Sequence, residues 1–417
     1  MGPCTGAANT RGREPAEASV PEADPPVGVD RTLLAGVVFA VLFGQVLVYP
    51  GVPDLVTALG ATTTLDASMW FLAAEFGAFI AFAGLWGALS DVSGTRLPWI
   101  RLGGIGGAAG YLALAVSPAV FPLSFGGVLV VRALQGALTI AAFSLAMTTL
   151  MDLPGGHGRN MGAAGIAIGL GTALGAPVGG QLTAVHPLAP LYASAGVLVI
   201  SGLFTLGVQA RPPTSREGRL RAALRDLAGR PTLGVPFAFG FVDRLSAGFF
   251  ALVGTLYFRT VFGLDAAATG LMLALFFAPF ALLQYPFGVL SDRIGRTVPI
   301  VGGSLLYGVT VIAVGLAPTV TIAGGTMVLV GVVGAFMAPA TMALVTDLAD
   351  PADRGAAMGG FNVFGSVGFL AGIVGGGLVA DAYGYLEAFL AVGLLEMLIA
   401  AVLLPVVLGL DLDADSG

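Results

Sequence analysis

Long apolar runs, broken by short segments of Arg, Asp, Pro and Gly, follow one another along almost the whole chain. The first half holds Thr32–Val48, Ala67–Leu89, Ile100–Val116, Leu123–Leu145, Met161–Ala184 and Leu188–Gln209. The second half holds Leu233–Tyr257, Thr269–Leu290, Pro299–Leu316, Ile322–Val345, Met358–Ala380 and Tyr385–Leu408. A helix that crosses a bilayer needs roughly 20 apolar residues, and most of these runs reach that length. The pattern predicts an all-α integral membrane protein of about twelve transmembrane helices in two pseudo-symmetric six-helix bundles. The expected division is a tail over 1–30, a bundle over 31–209, a linker over 210–232, a second bundle over 233–408 and a short tail over 409–417. Residues 1–30 are polar, acidic and rich in Pro, which reads as a disordered cytoplasmic tail with no cleavable leader.

The breaks carry the orientation. Cytoplasmic loops collect Arg and Lys. With the N-terminus inside, fifteen arginines fall in inner segments and only Arg259 in an outer loop, leaving Arg132 and Arg244 within spans. Both termini are then cytoplasmic. Within the linker Leu220, Leu224 and Leu227 share one helical face, flanked by Arg219, Arg221, Arg225 and Arg230. That is either a short basic amphipathic helix on the inner leaflet or a plain tether.

Composition sharpens the class. Hydrophobic residues make up 56% and charged residues 10% of the 417, against roughly 25% charged in soluble domains. There are 64 glycines, which fits helices packed closely in lipid. All 18 basic residues are Arg and the net charge is −6, so no basic nucleic-acid face exists. Cys4 is the single cysteine, and His157 and His186 fall in predicted loops, so no metal or thiol site is expected. No phosphate-binding loop and no Lys are present, which argues against ATP-driven pumping. Nor is there a metalloprotease helix or a nucleophile elbow, so no enzyme and no cofactor are expected.

Internal repeats tie the halves together. Gly87-Ala88-Leu89-Ser90-Asp91-Val92-Ser93-Gly94 recurs as Gly288-Val289-Leu290-Ser291-Asp292-Arg293-Ile294-Gly295. Gly162, Gly171, Gly175, Gly179 and Gly180 recur in register as Gly359, Gly368, Gly372, Gly376 and Gly377. Gly94 and Gly295 supply the permissive backbone a tight turn requires. The glycine stripe of span 5 serves either close packing or, with Pro177, a bend where the halves move.

These motifs, with Arg132-Ala133-Leu134-Gln135-Gly136, Ala176-Pro177-Val178-Gly179-Gly180 and Gly44 before Pro50 and Pro53, resemble the major facilitator superfamily over nearly all of 31–408. Within it, the chain is similar to the twelve-span drug:proton antiporter branch. The resemblance implies the major facilitator fold, a mostly monomeric protein in the cell membrane, and a small-molecule substrate moved against protons or another ion. It also implies that Gly87, Asp91, Gly94 and Arg96, with Gly288, Asp292, Arg293, Gly295 and Arg296, form loops that lock the halves on the cytoplasmic side. Gly171, Gly175, Pro177, Gly179 and Gly180 are then its interface motif.

Charges inside spans are costly, roughly 2.5–3.5 kcal/mol each on insertion scales, so they face partners or water. Glu75 and Arg132 lie at similar depth in neighbouring spans and can pair, structurally or functionally. Asp243 is either a proton carrier facing the cavity or half of a static pair; Arg244 points elsewhere, because consecutive helix residues diverge by about 100°. The expectation is that Glu75, Arg132 and Asp243 share one cavity as the proton-coupling group, while Glu396 in the last span is structural. Gln45, Gln135, Thr139, Tyr257, Gln284, Tyr285, Met337 and Asn362 are candidates to line that cavity, or simply to pack. The expected function is secondary active transport by alternating access, as proton-coupled efflux of small hydrophobic molecules. An uptake symporter, or a sensor or enzyme on the same fold, is the alternative. In a Cys4→Ser background, cysteines placed at Thr62 and Thr319 should react with an impermeant reagent from outside, and one at Ser215 only from inside. Reaction of Ser215→Cys from outside would overturn this topology.

Overall fold

A computed structural model describes residues 27–154, 157–209, 231–350 and 354–414, together with Gly2 and Gly229. Among the described residues twelve helices are long and apolar enough to cross a membrane. They are spans 1 (Val27–Ala58), 2 (Leu65–Ser93), 3 (Leu97–Val120), 4 (Phe125–Met151), 5 (Arg159–Val185) and 6 (Ala189–Gly207). The second half gives spans 7 (Pro231–Thr260), 8 (Ala266–Ile294), 9 (Val298–Gly315), 10 (Val320–Leu348), 11 (Ala357–Tyr383) and 12 (Tyr385–Leu410). Most of the 1–30 tail and nearly all of the 210–232 linker, with its expected amphipathic helix, lie outside the described residues. The first helix already begins at Val27 and the last runs to Ala414, so both reach into segments expected as tails. In hydrocarbon only a helix satisfies its own peptide groups, and the helices therefore outrun the apolar runs that announce them.

Local chemistry sets the ends. Ser124, Asp265 and Thr319 cap spans 4, 8 and 10, each side chain accepting a backbone N–H three residues on. Gly94 and Gly295 close spans 2 and 8 with positive φ of 65° and 86°, backbone that side chains other than glycine rarely adopt. Span 7 is interrupted by a π turn at Phe250–Gly254, and span 9 opens with another at Val298–Gly302.

The glycine stripes pack each half internally. A Cβ on Gly171 would lie 3.0 Å from the Phe39 carbonyl oxygen, and one on Gly175 3.1 Å from that of Phe43, so span 5 rides on the backbone of span 1. In the second half Gly368 and Gly372 of span 11 meet the carbonyls of Phe241 and Leu245 of span 7 in the same way. The stripe expected at the interface between halves is thus mostly an intra-bundle seam, because helices approach closest where neither has a side chain. Gly180 alone of the motif faces across, against the Ala266 carbonyl of span 8, while Gly270 meets that of Ala176.

With an even number of spans, the ends of spans 1 and 12 share one side, here the terminus end. The contacts between halves gather at the opposite, far end. They comprise the small-residue seam of spans 5 and 8, Met69 against Gly377, the stacked rings of Phe76 and Phe369 with centroids 4.2 Å apart, and an ion pair of Asp54 with Arg259 at 2.7 Å. The deepest is Gly169 against Ala281, near mid-span. Toward the terminus end Gly162, Gly165 and Gly355 face open space, and Leu282 and Tyr285 are exposed. Gly368→Ala should lower stability by about 1–3 kcal/mol through overpacking. Gly162→Ala should be neutral or gain up to about 1 kcal/mol of helix propensity. Thermal unfolding in detergent checks this, and equal effects at the two sites would contradict the seam.

Candidate functional site

Two polar clusters lie inside the bundles. In the first half Arg132, Gln135, Gly136 and Thr139 fall on one face of span 4, at the spacing of helix neighbours. Gly136 lets that face lie directly on span 2: its Cβ would sit 2.9 Å from the carbonyl oxygen of Glu75. The closeness brings Arg132 Nη2 to 2.6 Å from Glu75 Oε2. Arg132 Nη1 donates to Gln135 Oε1 at 2.7 Å, and Gln135 Nε2 donates to Thr139 Oγ1 at 2.7 Å. Tyr111 of span 3 donates to Glu75 Oε1 at 3.4 Å. The guanidinium also stacks over Phe71, 4.6 Å from the ring centroid, and over Tyr111. Glu75 and Arg132 are both 0% exposed. The cation thus meets a carboxylate, an amide and two ring faces, while its Nε has no hydrogen-bond partner among the described residues.

The equivalent place in the second half is apolar. Glu75 and Phe276 are 201 residues apart, as are Gly87 and Gly288 of the repeated loops. Gly331 of span 10 packs on the Phe276 carbonyl as Gly136 packs on that of Glu75, and Phe276 stacks among Phe250, Phe277 and Phe280. Ionisable groups appear elsewhere in that half. Asp243 of span 7 is half-buried and makes no hydrogen bond or ion pair among the described residues. Arg244 lies against Gly365 of span 11, whose Cβ would be 3.0 Å from the Arg244 Cγ, so the two neighbours diverge as helix geometry requires. Glu396 of span 12 is completely buried between spans 7 and 9, at hydrogen-bond distance from Ser246 and Ser304.

The sequence profile of the Major Facilitator Superfamily matches residues 34–258 and 237–414, which together take in nearly every span. The chain belongs to the Major Facilitator Superfamily. An MFS-type transporter of Methanocaldococcus jannaschii, MJ1560, is 33% identical over 166 residues, 39% of this chain and 42% of that protein. Multidrug resistance protein 2 of Bacillus subtilis is 34% identical over 124 residues, 30% of this chain and 31% of the relative. The match thus spans less than half the length of either relative. Among solved structures, a bacterial homolog of the human lysosomal transporter Spinster, inward-facing and occupied, has a TM-score of 0.75 at 15% identity, covering 92% of this chain and 97% of the other. The human organic anion transporter MFSD10 has a TM-score of 0.65 at 22% identity, over 91% and 100%. Both likenesses establish the fold of this transporter.

In this facilitator the sequence-derived residues separate. Glu75, Arg132, Gln135 and Thr139 form one sealed network in the first half, and Asp243 stands in the second, so the three charges do not share a cavity. Gly136 draws spans 2 and 4 together within their bundle, which turns the pair inward. Gln45 is buried too, its amide nitrogen without a partner in the described structure. Tyr257 does not line a cavity: its hydroxyl is held between the carbonyls of Val314 and Gly315, and its ring packs on Phe262 and Phe389. Met337 is likewise interior, beside Ser304. Gln284 is half-exposed, and Asn362 and Tyr285 are exposed on spans 11 and 8.

The repeated loops act within their halves here. Arg96 pairs with Asp152 at the end of span 4 at 2.6 Å. Arg296 pairs with Asp347 at the end of span 10 at 3.0 Å and with Asp292 at 2.6 Å. These two carboxylates outweigh the loss of solvation around Arg296 and raise its pKa above the ordinary guanidinium value. Asp91 is half-buried, and Asp292 and Arg293 are exposed. Sequence reasoning missed Tyr111, Ser246 and Ser304. A lone hydroxyl in an apolar run carries little signal until its partner is known. Arg132→Ala should destabilise the protein by about 3–5 kcal/mol by stranding Glu75. The double variant Glu75→Gln with Arg132→Met should cost less than Arg132→Ala alone. Thermal unfolding measures both, and a mild effect of Arg132→Ala would show that water reaches the pair.

Proposed function

We propose that this transporter works by alternating access as a secondary active carrier, exporting small hydrophobic molecules in exchange for protons. The observation that carries the reading is the one-sided junction between halves. They meet through the far-end seam of Ala176, Gly180, Ala266 and Gly270 and the Asp54–Arg259 pair, and diverge toward the terminus end. The asymmetry of the arginines makes the terminus end cytoplasmic. The conformation is then open inward, in the cell membrane, with both chain ends in the cytoplasm and the protein acting as a monomer. Rocking about the small-residue seam would break the far-end ion pair and close the inner ends. On closure Asp91 and Asp292 would engage the opposite half.

A small apolar pocket of about 270 Å3 lies among Gly234, Phe237, Ala238, Phe241, Phe364 and Ile399, between spans 7, 11 and 12. It supports hydrophobic cargo, as does the partial likeness to a Bacillus protein named for multidrug resistance. Asp243 is the first candidate for coupling, because it is an intramembrane carboxyl without a cation bound to it. Glu75 is second, being already committed to Arg132.

The test is efflux of a lipophilic fluorescent dye from proteoliposomes under an imposed proton gradient. Asp243→Asn should lose gradient-driven dye movement at least about tenfold, while dye still exchanges across the membrane. Glu75→Gln should lose less. If Asp243→Asn and Glu75→Gln both still concentrate dye against its gradient, neither carboxyl couples transport. If the parent moves dye but ignores the proton gradient, the antiport reading fails.

A further inference from the structure

Glu396 has no role in the reading above, yet it is the most completely enclosed carboxyl of the second half. Gly308 of span 9 and Gly393 of span 12 cross backbone to backbone, each Cβ position within 2.6 Å of the other's carbonyl oxygen. That contact presses Glu396, three residues beyond Gly393, against Ser304, four residues before Gly308. From span 7 comes Ser246, on the same helical face as Asp243. The π turn of span 7 begins four residues after Ser246, and that of span 9 ends two residues before Ser304. Such turns recur at functional sites.

The hydrogen bonds around Glu396 count protons. Ser304 Oγ lies 2.9 Å from Glu396 Oε1 and 2.8 Å from Met337 Sδ. A thioether only accepts, and so does an ionised carboxylate, yet the hydroxyl has a single proton. If Glu396 were ionised, one of these two close contacts would have no hydrogen. A protonated Glu396 resolves it: its acid O–H donates to Ser304 Oγ, whose own proton goes to Met337. The second oxygen, Oε2, accepts from Ser246 at 3.4 Å. No basic side chain reaches Glu396 among the described residues.

The other ionisable groups nearby are few. Span 7 brings Asp243, one turn before Ser246, and Arg244, which is turned toward span 11. Span 9 brings the buried Tyr307, one turn beyond Ser304. Spans 10 and 11 have ionisable residues only toward their ends, Asp347, Arg354, Asp381 and Tyr383. Span 12 itself adds Tyr385, Glu387, Asp411 and Asp413, all at least nine residues from Glu396.

We propose that Glu396 and Asp243 form a proton-binding site inside the second half, with Glu396 holding the proton in this conformation and half-exposed Asp243 connecting it to water. Binding adds one proton to the pair and neutralises one of its two negative charges; release leaves by way of Asp243. Ser246 and Ser304 are positioning residues for that proton. As the seat of the coupling proton, the site rests on the antiport reading above; as a proton-binding site it stands on its own geometry.

The experiment is infrared difference spectroscopy of the purified full-length protein as pH is varied. At neutral pH the parent should show a carboxylic acid carbonyl band that Glu396→Gln abolishes and Glu75→Gln leaves intact. Ser304→Ala, which removes the acceptor of the acid proton, should shift that band in frequency. Asp243→Asn should change the pH at which it disappears. A neutral-pH spectrum unaltered by Glu396→Gln would overturn the proposal, and so would an unchanged titration in Asp243→Asn. Should Glu396→Gln fail to fold, the Ser304→Ala shift and the Asp243→Asn titration decide it by themselves. A band that behaves as expected in a parent whose dye efflux ignores the proton gradient would support this site and overturn only the antiport reading.

Discussion

Hydrocarbon offers a peptide group no partner, and the architecture follows from that constraint. Each span is driven to be helical, and helices in lipid gain nothing from hiding apolar side chains from one another. What holds them is close contact between backbones, which small residues, glycine above all, permit. The seams of span 5 on span 1 and span 11 on span 7 answer that need at matching positions, with Gly171 and Gly368, Gly175 and Gly372 as counterparts. The same device crosses Gly308 over Gly393 and lays Gly136 on Glu75. Glycine position therefore decides which polar side chains meet.

The two halves keep one scaffold and diverge in what it encloses. Gly136 covers a glutamate paired to an arginine; its counterpart Gly331 covers Phe276 in an aromatic core. The first half thus contains a balanced pair of opposite charges, the second a carboxyl served only by hydroxyls. A balanced pair removed from water is rigid, and removing one partner is what makes it costly. An acid without a cation can gain or lose its proton, and with it a charge that neighbouring helices must accommodate. The paired and the unpaired buried carboxyls thus lie in different bundles.

Junctions between the halves have a different character. They use small residues, one ion pair, Met69 against Gly377 and the stacked Phe76 and Phe369 rings, and they gather from mid-span to the far end. Each repeated loop meanwhile clamps its own half, Arg96 to Asp152 and Arg296 to Asp347. Two bundles joined from mid-span to one end have the form of a rocking carrier.

The span count, the two halves and the repeats were legible in the sequence, because apolar length and glycine register are properties of the chain itself. So was the Glu75–Arg132 pair, since depth and neighbouring spans follow from topology. The tertiary structure decided which way side chains point. It sealed Gln135 and Thr139 into the Glu75 network, tied Tyr257 to span 9 and separated Asp243 from Glu75. It also enclosed Glu396, expected as structural in the last span, between Ser246 of span 7 and Ser304 of span 9. A span apolar all round gives no period from which to read its inner face, and where two helices cross depends on glycines far apart in the chain. Sequence therefore determined how many helices cross the membrane and which charges they carry, while only the packing of backbone on backbone decided which of those charges find a partner.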